Sequence, residues 1–140
     1  MKAAEIFSIA NLITMPMWLL MIVLPKWKVT RFLVDYKLVP LVLSLFYVFY
    51  MLTHISSGAG LDFGSLSSVM SLFTQENAVM AGWVHYLAFD LLIGMWMLNQ
   101  NRTLRFHPLI MAPCLFATFM LGPVGFLLFM VLRTTKRANS

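Results

Sequence analysis

Trp83, His85, Tyr86 and Asp90 stand together in the stretch Ala81–Leu92, AGWVHYLAFDLL. An imidazole, a phenol and a carboxyl can each give or take a proton, so the group has the side chains for a step that needs an acid and a base. The surrounding residues are apolar over the length of a membrane span. An aspartate near the centre of such a span costs about 2.5–3.5 kcal/mol on insertion scales, so its presence needs a reason. On a helix Tyr86 and Asp90 are four apart and share a face, with Trp83 three before Tyr86. His85 lies about 140° round from Asp90, so the two meet only if this helix is central and other helices surround it. A second set, Tyr47, Tyr50 and His54, recurs at i, i+3 and i+7, with Ser44 one turn before Tyr47. It forms a polar stripe on an apolar helix and is expected to face the bundle interior. Asn11, Thr14 and Trp18 fall on one face of the first apolar run, at i, i+3 and i+7.

The elements that must hold these groups follow from composition. The chain has 140 residues, 61% hydrophobic and 11% charged, where a soluble domain averages about 45–50% apolar and about 25% charged. That predicts one domain, all-α, an integral membrane four-helix bundle with no separate soluble module. The period-2 alternation of a membrane barrel is absent, and the apolar runs are too long for its strands. The net charge of +5 reports orientation and attraction to anionic lipid rather than nucleic-acid binding. The single cysteine, Cys114, excludes an intrachain disulfide and reads as a small buried hydrophobe. His54, His85, Asp90 and Glu76 lack the H-x-x-x-H or H-E-x-x-H spacing of a zinc site, so no metal is expected.

Spans are predicted at about 5–24, 38–55, 78–98 and 109–132. Pro16 and Pro123 free the carbonyls of Leu12 and Phe119 and predict kinks in the first and fourth. Pro25–Lys37 follows the first span with room for a short interfacial helix, Trp27 and Tyr36 at headgroup level. The long connection Ser56–Asn77 holds Gly58, Gly60 and Gly64. A short amphipathic or re-entrant helix is expected at Ser65–Phe73, capped by Ser65, with Leu66, Val69, Met70 and Phe73 inward. Asn99–Pro108 reads as a polar turn, and the tail Arg133–Ser140 as basic and frayed. The start of the chain does not look like a cleaved signal, and a prokaryotic cell membrane is its expected home. On a four-span topology the first and third connections share one side with six Lys/Arg. The second connection has none and lies with the termini, which carry Lys2, Arg133, Lys136 and Arg137. Six against four puts both termini outside.

The chain resembles the ABA4-like family (the DUF4281 domain), named for a plastid protein needed for neoxanthin formation in plants. The likeness runs nearly end to end: Ala10-Asn11 with Pro16-x-Trp18-Leu19-Leu20, Phe63-Gly64-Ser65-Leu66 with Leu72-Phe73, the core Ala81 to Leu91, and Gly122-Pro123-Val124-Gly125. The W-x-H-x-x-x-x-D-L pattern inside a span is its most specific part. The resemblance implies an isomerisation, violaxanthin to neoxanthin, in which an epoxide opens and an allene forms without electrons, cofactor or second substrate. Such a step needs an acid for the epoxide oxygen and a base for a carbon-bound proton. Asp90 is expected as acid or as the group orienting His85, and Tyr86 as the holder of the substrate oxygen. Trp83, Phe89 and Met70 are expected to line the pocket, with His54, Tyr47, Tyr50 and Asn11 as further contacts to a membrane lipid or carotenoid-like isoprenoid. The alternatives are a lipid-binding protein without chemistry and a structural protein whose polar groups only lock helices together.

Overall fold

The computed structural model describes residues 2–139; Met1 and Ser140, the two ends of the chain, lie outside the described residues. Six helices follow one another: α1 (Ala3–Val23), α2 (Lys28–Tyr36), α3 (Leu38–Ser56), α4 (Leu66–Leu72), α5 (Glu76–Leu104) and α6 (Pro108–Ala138). There is no strand among the described residues. Helices α1, α3, α5 and α6 are each long and apolar enough to cross a membrane, and the protein is a membrane protein.

Helix ends follow local chemistry. The Glu5 carboxylate accepts from the Lys2 amide at 3.0 Å and closes the start of α1. The Ser65 hydroxyl accepts from the Ser68 amide at 3.1 Å and starts α4. Pro108 opens α6, where the missing N–H costs nothing, and His107 Nδ1 accepts from the Leu109 amide at 3.2 Å. The expected polar turn Asn99–Pro108 is mostly helix. α5 continues to Leu104, because polar side chains on a helix leaving the hydrocarbon are solvated there. It stops at Arg105, whose φ of 57° is left-handed. Asn101 holds the remaining turn by accepting from the Phe106 amide at 2.7 Å and donating to its carbonyl at 3.1 Å.

α5 is the central element and packs on α1, α3 and α6. Its apolar window is 50% buried inside the molecule, against 33%, 22% and 28% for α1, α3 and α6. Gly94 explains the close approach of α1: a Cβ there would stand 2.7 Å from the Trp18 ring. α2 is tied to the end of α5 by the exposed Arg102–Asp35 ion pair at 2.6 Å. The expected inward face of α4 is corrected. Leu66, Met70 and Phe73 are exposed and Leu72 is its buried residue, because two turns reach the bundle at one point. The Phe73 ring rests on α5 at Gly82.

α1 passes through Pro16 without a break in its helical backbone. α6 does not pass through Pro123. Leu121 leaves helical geometry (φ −144°, ψ 71°), and the two arms fold back against each other. A Cβ on Gly125 would stand 2.5 Å from the Thr118 Cα. In one straight helix those residues are about 10 Å apart along the axis. The second arm runs back down α5: Phe126 and Phe129 pack on Trp96, and Arg133 lies 5.8 Å over the same ring. Lys136 donates to the Leu104 carbonyl and sits 4.6 Å from the Phe106 ring. The tail expected to fray is therefore helical to Ala138 and docked beside the third connection. It does not lie with the second, so the termini are at opposite ends of the bundle, and the six-against-four count loses its premise.

Candidate functional site

The α6 reversal places its tip against the middle of α5. A Cβ on Gly122 would stand 2.8 Å from Asp90 Cγ and would also meet its Oδ1. Only a residue without a side chain lets the tip reach this depth. Pro123 has no N–H to donate to the Phe119 carbonyl, and the reversal leaves the Met120 carbonyl open as well. The Tyr86 hydroxyl donates to both, at 3.5 Å and 3.2 Å. Asp90, one turn after Tyr86, has its Oδ2 buried with no hydrogen-bond partner.

Above the tip, α1 and α5 leave a cleft of about 220 Å³ lined by Asn11, Thr14, Trp83, Tyr86, Phe119 and Met120. Trp83 closes one side. Its indole N–H donates to Asn11 Oδ1 at 3.3 Å, and its ring lies 5.6 Å from both Phe7 and Tyr86. Asn11 is held for this contact because its amide N–H donates to the Phe7 carbonyl at 2.8 Å. Trp83 also borders a second, apolar groove of about 420 Å³ that runs past Phe7, Val79 and Met80 to Ala3. The small cleft with its polar groups and the larger apolar groove thus share Trp83 as a wall, and together they offer an apolar surface beside a few polar groups.

The other residues singled out by spacing lie elsewhere. His85 is exposed on another face of α5, 5.7 Å from the Tyr47 ring and stacked 4.6 Å from Phe89. Phe89 is exposed beside it. Tyr50 and His54 are buried on α3, with Tyr50 Oη and His54 Nε2 unpartnered. Met70 is exposed on α4 and does not line the cleft. The polar groups expected to share the bundle interior are thus divided. His85 and Tyr47 meet there, while Trp83, Tyr86 and Asp90 turn to α1 and α6. The residues that spacing missed are Phe119 and Met120, whose carbonyls hold Tyr86, and Gly122, which admits Asp90. The freed carbonyl of Phe119 was visible from Pro123; its partner was not. No group of three His, Cys, Asp or Glu among the described residues could hold a metal ion.

The family model described as ABA DEFICIENT 4-like matches residues 5–129 of the chain. No curated protein and no solved structure matches it.

Proposed function

The chain belongs to the ABA4-like family, and from that premise we propose that it binds an isoprenoid within the membrane and isomerises its oxygenated end group at the cleft between α1, α5 and the α6 tip. The observation that carries this reading is Asp90. Its Oδ2 is buried and unpartnered at the middle of a membrane helix, whereas a carboxyl kept only to lock helices would have its oxygens on donors. Tyr86 stands between Asp90 and the cleft. In the reaction its hydroxyl proton passes to the epoxide oxygen as the C–O bond opens, and Asp90 replaces that proton. Loss of a carbon-bound proton from the adjoining chain returns it to the Asp90 carboxylate and completes the new double bond. One proton enters and one leaves, so the product is an isomer. Trp83 stacks on the end ring and Asn11 fixes Trp83. His85, Tyr47 and Phe89 lie outside this cleft.

A second reading is binding without turnover. It is favoured by the Tyr86 hydroxyl, which already donates to the Met120 and Phe119 carbonyls. Titrating the purified protein with an epoxy-carotenoid tests the site itself. Tryptophan emission should be quenched, and Trp83→Phe should lose part of that quenching. Unchanged quenching in Trp83→Phe would place the ligand elsewhere. Binding with no conversion would leave the second reading standing.

A further inference from the structure

The geometry points to a chain that crosses the membrane three times, with α6 as a helical hairpin that dips to mid-depth and returns, so that the N-terminus and the C-terminal tail face opposite sides. The arms are short. Pro108–Met120 rises about 20 Å and Pro123–Ala138 about 24 Å at about 1.5 Å per residue, against a hydrocarbon thickness of about 30 Å. The tip meets α5 at Asp90, midway along Glu76–Leu104. Backbone groups exposed at that depth must be satisfied by the protein, and the Tyr86 bonds to Met120 and Phe119 do this.

The hairpin also sorts charge. Lys136 docks on Leu104 and Phe106, and Arg133 on Trp96. That gathers Lys26, Lys28, Arg31, Lys37, Arg102, Arg105, Arg133, Lys136 and Arg137 at one end, nine of the ten Lys/Arg in the chain, with Asp35 as the acid there. The other end has Lys2 with Glu5, Asp62 and Glu76. Lys and Arg near span ends set orientation, and the cytoplasmic leaflet is anionic. Nine against one makes the basic end cytoplasmic, with the tail inside and the N-terminus outside, which replaces the orientation expected from four crossings. The groove past Phe7, Val79 and Met80 then opens to the outer leaflet, because the α6 tip meets α5 at Asp90 and Tyr86 and no α6 residue lines that groove. Entry of an isoprenoid from that leaflet rests on the proposed site; the topology does not.

Ser57→Cys and Asn139→Cys chains, probed with a membrane-impermeant maleimide in intact spheroplasts and after permeabilisation, test this directly. Cys114 is buried, and its background is read from the unsubstituted chain. Ser57→Cys should label in intact cells and Asn139→Cys only after permeabilisation. Labelling of both from one side would overturn the hairpin topology, and the reverse pattern would overturn the orientation. If neither site labels, the distance between nitroxides at Leu109→Cys and Thr135→Cys in a Cys114→Ala chain decides. Two packed arms have axes about 8–10 Å apart, and a straight crossing helix puts the sites about 39 Å apart. A short distance supports the hairpin, and the long one refutes it.

Discussion

Gly122→Ala is the sharpest probe of the α6 tip. The new Cβ would lie 2.8 Å from Asp90 Cγ and 3.2 Å from Oδ2. Something must shift, the Asp90 carboxyl or the tip itself. Overpacking of this kind costs about 1–3 kcal/mol. Gly122 is not among the positive-φ glycines, so alanine meets no left-handed backbone penalty at the reversal. The loss is about 1–3 kcal/mol, or about 4–12 °C in Tm for a chain of this size. In an Asp90→Ala background the obstacle is gone, so the same change should leave Tm nearly unchanged. The assay is thermal loss of helical circular dichroism in detergent for the four proteins of the cycle. The expected coupling is about 1–3 kcal/mol, the overpacking term itself. Equal losses in both backgrounds would refute the contact, and with it the reason given for glycine at this position.

Gly125→Leu should be more damaging than Gly122→Ala, because its neighbour is the Thr118 backbone; size-exclusion of a fluorescent fusion should show loss of the monodisperse peak. Tyr86→Phe removes the donor to Met120 and Phe119 and should cost about 0.5–1.5 kcal/mol, the range of hydrogen bonds in membrane bundles, read as a Tm shift. Arg102→Ala breaks an exposed ion pair with Asp35 and should lower stability by no more than about 0–1 kcal/mol, less at high salt, read as a Tm shift; a large loss would mean that α2 depends on it. Asp62, in the loop before α4, is held below the ordinary carboxylate range by the Gly64 amide, with Ser68 adding to this. The loop order it supports is therefore present above the ordinary Asp range and lost as pH falls through the lowered value; protection of the Gly64 amide, its exchange relative to the intrinsic rate at each pH, should fall there, and unchanged protection would contradict this.

Much of the site's frame is written in local spacing. The i, i+3, i+7 relation of Trp83, Tyr86 and Asp90 needs only helix geometry, and all three turn toward α1 and α6. The 140° offset of His85 was equally legible, and the structure keeps it on another face with Tyr47. The reversal of α6 was not legible. Hydropathy measures the length of an apolar run, and Gly-Pro within one reads as a kink. Whether the chain bends or folds back depends on Gly125 meeting Thr118 and on Lys136 reaching Leu104, contacts between residues that no single helical period relates. The α4 face is not legible for a related reason. Amphipathic spacing says which residues share a face, and in a membrane an apolar face can turn outward to lipid as readily as inward.

Pigment chromatography of bacterial cells that make violaxanthin, with this chain, with its Asp90→Asn variant and with neither, tests the proposed isomerisation most directly. The account predicts a new isomer of unchanged mass in cells with the chain, absent in cells with Asp90→Asn at equal membrane expression. No new peak with the chain well expressed, or the same peak from Asp90→Asn, would contradict it.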